Sequence, residues 1–254
     1  RTQARKHESS EAPAQYHHAS PSTALLASPR SMAAPLCCAR PSAQAVRTTA
    51  RPVIPRLPWL CVDGLESLRG PTSTSNWVVP GLLLCGSEPD GATAALLVRE
   101  CGVSCFCCLQ AELPDPPPYQ HGLESGHDVE FARLSTADGQ VFDDQRLVEL
   151  LESLTQKLTS GTVVYVHCRG GHGRTGVVVA GLLGMLYPEL PAREALRRIQ
   201  LYHDVRLNPR GELLHAPMSP QTAAQKAQAV RVLDETRAKH SLLRPIRSLL
   251  SPWV

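Results

Sequence analysis

Residues 163–183, VVYVHCRGGHGRTGVVVAGLL, set a β-branched apolar run, a cysteine, a turn with three glycines, an arginine and a second apolar run end to end. The first run, extended to TVVYVHC, does not alternate apolar with polar side chains, which is the pattern of a strand covered on both faces. RTGVVVAGLLGMLY is then the helix that follows it. A strand–turn–helix unit of this kind belongs to an α/β layer fold, and the surrounding segments alternate accordingly. GLLLCG (81–86) and VSCFCCL (103–109) are expected strands flanking a helix, GATAALLVREC. VEFARL (129–134) is a third strand. In the helix after it, Leu147, Leu150, Leu151, Leu154 and Leu158 recur at helical spacing; Asp143 or Asp144 can cap its start and Gly161 its end. PAREALRRIQLYH, opened by Pro191, and a segment from Ser219 and Pro220 supply two more helices. No internal repeat is present. The expected architecture is a central, mostly parallel sheet flanked by helices.

At 254 residues the chain can hold one sizeable domain with extensions. Regular periodicity spans residues 58–239, and composition changes on either side. Between Glu11 and Asp63 there is no acidic residue, while Arg30, Arg40, Arg47, Arg51 and Arg56 are scattered among Ala, Ser, Thr and Pro. Such a segment cannot build a core, so residues 1–57 are expected to be disordered. They resemble an organelle transit peptide with Met32 as a candidate initiator, which implies a plastid or mitochondrial address; an ordinary tail on a cytoplasmic protein is the alternative. Residues 240–254 form a short apolar tail. The net charge of +3 and the 4% aromatic content give no nucleic-acid footprint. The longest apolar run, from Gly176 to Tyr187, is shorter than the roughly 20 residues of a membrane span. The cluster of Cys101, Cys105, Cys107 and Cys108 lacks a second ligand pair at zinc spacing, so these are expected to be small buried residues in a reduced strand, and no metal site is expected.

A buried strand ending at Cys168, a glycine turn and a helix beginning near Arg174 make an anion cradle. Successive amides point inward and the helix dipole adds partial positive charge. Gly170, Gly171 and Gly173 leave room for oxygens to approach those amides. A thiol in that field loses its proton readily, which makes Cys168 a candidate thiolate nucleophile. Arg174 can offer a planar fork of donors to two phosphate oxygens. Thr175 can donate its hydroxyl to the sulfur, and His167 fits an orienting role better than that of a base. Arg169 and His172 add charge that suits polyanionic substrates, unless their side chains simply face solvent.

HCRGGHGRTG, residues 167–176, resembles the signature His-Cys-x5-Arg-Ser/Thr of the cysteine-based protein tyrosine phosphatase superfamily. Over residues 75–232 the chain looks like a dual-specificity phosphatase: SNWVVPGLLLCGSEP resembles the opening strand, LVRECGVSCFCCLQAE the next helix and strand, and SPQTAAQ the helix near the end. The resemblance implies a cysteinyl-phosphate on Cys168, with Arg174 and the amides of residues 169–173 and Gly176 holding the oxygens. It also implies an aspartate that protonates the leaving oxygen. Asp138, in TADG, is the preferred candidate over Asp143 and Asp144. The absence of a Trp-Pro beside that aspartate and of a long phosphotyrosine loop implies a shallower pocket that admits phosphoserine and phosphothreonine in proteins. Gln221 and Gln225 resemble the glutamines that position the hydrolytic water; a solvated helix face is the alternative. Phosphoinositides are the alternative substrates. A non-catalytic phosphate-binding module and a sulfur-transfer domain are the readings from other classes, and no cofactor is expected.

The loop chemistry predicts that the protein hydrolyses a small aryl phosphate without added metal and that Cys168→Ser abolishes turnover while leaving substrate binding intact. Turnover with p-nitrophenyl phosphate in the presence of a chelator checks this; full activity of the variant would exclude Cys168 as nucleophile.

Overall fold

The structure, a computed structural model, describes residues 54–55, 57, 62–123, 128–210, 215 and 217–249. Expectations for residues 1–53, Met32 among them, and for residues 250–254 lie outside the described residues. Five strands, β1 (Ser75–Val79), β2 (Leu83–Ser87), β3 (Val103–Gln110), β4 (Glu130–Thr136) and β5 (Val163–Cys168), form one sheet in the order β1-β2-β5-β3-β4. Only β1 runs antiparallel to its neighbour; β2, β5, β3 and β4 are parallel. The last strand in the chain is therefore the central one, and the carboxyl ends of β2, β3, β4 and β5 open on the same edge.

Five helices cover the sheet: α1 (Gly91–Cys101), α2 (Asp144–Thr159), α3 (Gly173–Leu186), α4 (Ala192–Asp204) and α5 (Ala223–Leu249). Side-chain alternation along β5 assigns the two faces. Val164, Val166 and Cys168 join the core shared with α2, α3, α4 and α5, whereas Tyr165 joins Leu84, Phe106, Leu97 and Tyr119 beneath α1. From Gly173 to Gly184 every residue of α3 is buried, because α2, α4 and α5 wrap the faces that β5 leaves open. Leu147, Leu151, Leu154 and Leu158 of α2 are each fully buried against it, a contribution of roughly 1.5–3 kcal/mol per side chain. The cysteine cluster serves packing: Cys105, Cys107 and Cys108 are buried in β3, and burial pushes the Cys105 thiol up to about 11.

Four expectations change in detail. The strand expected over 81–86 is the second arm of a hairpin, with Ser75–Val79 as the first. Pro80 and Gly81 (φ 74°) form the connection, closed by the Leu82 N–H donating to the Val79 carbonyl at 3.0 Å. That is the type II turn a Pro-Gly pair favours. The last helix begins at Ala223 rather than at Ser219 and Pro220. Thr222 and Gln225 cap it reciprocally, the Gln225 N–H donating to Thr222 Oγ1 and the Thr222 N–H to Gln225 Oε1. Ser219 is committed elsewhere: its hydroxyl donates to the His172 carbonyl and its N–H to Gln200 Oε1. The backbone of α5 also continues through Leu249, past the residue 239 at which a tail was expected. At the other end, Ile54 and Leu57, ahead of the boundary expected at residue 58, pack against the main core, and the Tyr187 hydroxyl donates to the Pro55 carbonyl at 2.7 Å.

Of the two cap candidates for α2, Asp143 caps, accepting from the Arg146 N–H at 2.9 Å. Asp144 instead ties α2 to α5, accepting from Gln228 and Arg231. Asp143→Ala is expected to lower stability by about 1 kcal/mol, the cost of a lost N-cap, without touching the site. Urea unfolding monitored by circular dichroism measures it.

Candidate active site

The sheet edge at the carboxyl ends of β2–β5 carries a cleft of about 890 Å³, the position where open α/β sheets bind ligands. Cys168, the last residue of β5, lies in it, almost wholly buried, with Arg169, Gly170, His172 and Gly173 around it. Asp138, from the loop after β4, Ser87 to Gly91 after β2, Tyr119, and Asn208, Arg210 and Gln221 from the segments flanking α4 and α5 make up the walls. Gly171 has φ 72°, and a Cβ there would sit 2.3 Å from the backbone of Gly86, so both conformation and space exclude a larger residue. Gly176 lets α3 approach Ser219 and Pro220; a Cβ would stand 2.6 Å from the Ser219 hydroxyl. No side chain caps the first turn of α3, which leaves its leading amides for an anion.

Arg174 is 1% exposed and its fork is held by three acceptors. Nη1 donates to Glu112 Oε2 at 2.8 Å and to the Thr136 carbonyl at 2.6 Å, and Nη2 donates to Asp138 Oδ1 at 3.0 Å. Nε has no partner. Burial works against the charge, but the hydrogen bond donated to Glu112 and the electrostatic attraction of Cys168 more than offset it and hold the guanidinium pKa above its ordinary value. Glu112 binds at both ends, its Oε1 accepting from the Asp138 N–H at 2.8 Å. For its carboxyl too, partial burial is outweighed, here by the Arg174 hydrogen bond, and the pKa lies below the usual range.

The structure therefore brings Cys168, Arg174 and Asp138 together and sets Asp143 and Asp144 apart. It places Gln221 in the cleft wall but not Gln225, which is fully buried, capping α5 and donating to the Gln140 carbonyl at 3.0 Å. Thr175 Oγ1 is buried and has no hydrogen-bond partner among the described residues. His167 is fully buried, its Nε2 2.7 Å from the Tyr119 hydroxyl.

His172 departs from expectation. It lines the cleft as expected, but burial, with His203 and Arg206 nearby, pushes its imidazole down to about 3, so it adds no positive charge. Its Nδ1 is 2.8 Å from His203 Nε2. Of the two rim groups expected to be basic, only the exposed Arg169 contributes charge. Glu112, Tyr119, His203 and Arg206 were not singled out from sequence. Arg206 is buried behind the loop, donating to Asn76 Oδ1 at 2.8 Å and to the Gly171 carbonyl at 3.0 Å. The position of Glu112, just past the buried strand β3, was the one local signal, since ligands collect at carboxyl ends of parallel strands.

Sheet order and cysteine loop together define the class of cysteine-based phosphatases. The family model described as PTP-SAK, Swiss Army Knife protein, DSP-PTPase phosphatase domain, matches residues 72–241, and the chain belongs to that family. It is 41% identical over 58 residues to "Putative tyrosine phosphatase 067L" of Invertebrate iridescent virus 3, a stretch that is 23% of this chain and 24% of that protein. The chain thus spans about a quarter of the length of that relative. Its fold is similar to PTPMT1 in complex with PI(5)P (TM-score 0.50, 19% identity, 63% of this chain and 95% of that one). It is also similar to "mouse putative dual specificity phosphatase complexed with zinc tungstate" (TM-score 0.50, 16% identity, 67% and 92%).

The buried histidines predict a pH dependence of stability. Unfolded, each titrates near 6.5, whereas burial takes His167 and His172 to about 3 and His203 to about 4. Below 6.5 the unfolded chain binds protons that the folded one does not, so stability is full above that pH and falls as pH drops towards about 4. Urea midpoints between pH 7 and 4 should show the decline, and His203→Gln should make it shallower.

Proposed function

We infer that the protein hydrolyses phosphate monoesters through a cysteinyl-phosphate on Cys168, acting on phosphotyrosine and on phosphoserine or phosphothreonine in proteins. The observation that carries this reading is the anchoring of Arg174. Glu112 and Thr136 hold Nη1, and Nε is unpartnered. That leaves the Nε–Nη2 edge for two oxygens of a phosphoryl group once the 67% exposed Asp138 gives up Nη2. Cys168 then attacks phosphorus, the amides of residues 169–173 and of the first turn of α3 stabilise the equatorial oxygens, and Asp138 donates its proton to the leaving oxygen. Thr175, whose buried hydroxyl has no hydrogen-bond partner among the described residues, donates to the sulfur when the S–P bond breaks.

Protein substrates are favoured over polyanionic headgroups by the charges that line the cleft. Arg169 and Arg210 share the cleft lining with Glu88, Asp90 and Asp138, and His172 is neutral. PTPMT1 was crystallised with PI(5)P, but its likeness to this chain extends to the fold alone. Parallel assays on phosphopeptides and phosphoinositide vesicles decide between the two; faster turnover of the vesicles would reverse the assignment.

Asp138→Asn should lower turnover by about 10²- to 10⁴-fold for alkyl phosphates, the effect of a lost general acid. Aryl phosphates with good leaving groups should suffer much less. Asp143→Asn and Asp144→Asn should leave that leaving-group dependence unchanged.

A further inference from the structure

The cysteine loop has two sides. Arg169, Gly170, His172 and Gly173 line the cleft. Arg206, 4% exposed, and Ser219, 5% exposed, lie outside that lining and border a small buried cavity with Asn76, Cys85 and Thr175. From this buried side two donors reach the loop backbone: Arg206 Nη2 donates to the Gly171 carbonyl and Ser219 Oγ to the His172 carbonyl, each at 3.0 Å. The peptides of the loop are trans. In a planar trans peptide the C=O and the N–H point in opposite directions. Two carbonyls turned to the buried side therefore turn the N–H groups of His172 and Gly173 away from it, and neither N–H donates to another group among the described residues.

Arg206 also carries a buried charge with no carboxylate partner among the described residues. Its acceptors, Asn76 Oδ1 at 2.8 Å, the Gly171 carbonyl and Cys85 Sγ at 3.8 Å, are all neutral, and Nη1 has no partner. The Cys85 thiol does not supply a counter-charge: burial raises its pKa in spite of Arg206, and it donates to Asn76 Oδ1. Arg174, by contrast, meets both Glu112 and Asp138. Buried ions are tolerated when they are paired, so Arg206 calls for a counter-ion from outside the chain.

We propose that Arg206 is a positioning residue of the anion cradle: acting through the Gly171 peptide it turns the His172 N–H towards the cleft, and the phosphoryl group of the substrate balances its charge. The proposal rests on the phosphatase reading above, which supplies the anion. A charged donor on the carbonyl polarises the peptide and makes its N–H a stronger donor. The buried charge adds an attraction that solvent screens little. Ser219 directs the Gly173 N–H in the same way, without the charge. Arg174 is offset by two carboxylates until Asp138 gives it up, so the first attraction for a dianion falls to Arg206 and the loop amides.

Calorimetric titration of the full chain with tungstate, an inert tetrahedral oxyanion, reads the cradle without turnover. Arg206→Gln keeps a donor but removes the charge. It should weaken tungstate binding by about tenfold, a smaller effect than the 10²- to 10³-fold in kcat lost with a donor that meets the reacting oxygen itself. Arg206→Lys keeps the charge and should recover most of the affinity. Across these variants kcat/KM for p-nitrophenyl phosphate should follow tungstate affinity, while the leaving-group dependence set by Asp138 stays unchanged. Ser219→Ala should cost about threefold in tungstate affinity, the effect of one neutral hydrogen bond, and carries the test should Arg206→Gln fail to fold. A wild-type chain that binds no tungstate, unchanged affinity in the folded variants, or equal losses in Arg206→Gln and Arg206→Lys would overturn the proposal. A wild-type chain that binds tungstate but releases no phosphate from p-nitrophenyl phosphate would instead overturn the cysteinyl-phosphate reading.

Discussion

The cleft is organised around one buried cation. A guanidinium removed from water loses several kcal/mol of hydration, and it is tolerated only where acceptors replace the solvent it gave up. For Arg174 those acceptors come from three places in the chain: Glu112 after β3, the Thr136 carbonyl at the end of β4, and Asp138 in the loop beyond it. The pairing therefore does more than position one side chain. It fixes the loops after β3 and β4 relative to the start of α3, and so determines where the cleft walls stand around Cys168. Glu112 is itself half exposed, so water can replace part of what its loss would remove, but by binding both Arg174 and the Asp138 N–H it links the cation to the loop that carries Asp138.

The parts of this arrangement that are local in sequence were legible there. The unbroken apolar run to Cys168, the glycine turn and the helix from Arg174 follow from composition within about 20 residues, and the heptad-like leucines of α2 are equally self-contained. What could not be read depends on pairing across the fold. Glu112 is an ordinary acidic loop residue until the sheet order β5-β3-β4 brings it beside Arg174. Tyr119 and His167, 48 residues apart, meet only because the loop after β3 folds over the carboxyl end of β5. The start of α5 turned on a competition for Ser219: its cap propensity is real, but the His172 carbonyl takes its hydroxyl, and Thr222 assumes the cap.

Charge counting failed at His172 for a related reason. A histidine in a glycine-rich anion cradle is formally a basic residue, yet its protonation depends on burial and on its hydrogen-bond partner, neither of which is written in the neighbouring sequence. His203 lies 31 residues away on α4, and the Asp204 beside it sets the direction of the whole hydrogen-bond chain. The same imidazole that would have extended the positive field into the cleft is instead uncharged.

Because α3 is enclosed by β5, α2, α4 and α5, the cysteine turn that leads into it has little room to adjust when a ligand arrives. Its amides are preorganised, at the expense of any adaptability in the floor of the cleft. Accommodation of different substrates must fall to the walls: Ser87 to Gly91, the turn at Asp138, and the stretch through Asn208 and Arg210. Floor and walls are thus separable under mutation. Selection, or an engineer, can rewrite the walls to change what is admitted while the chemistry of the floor stays as it is.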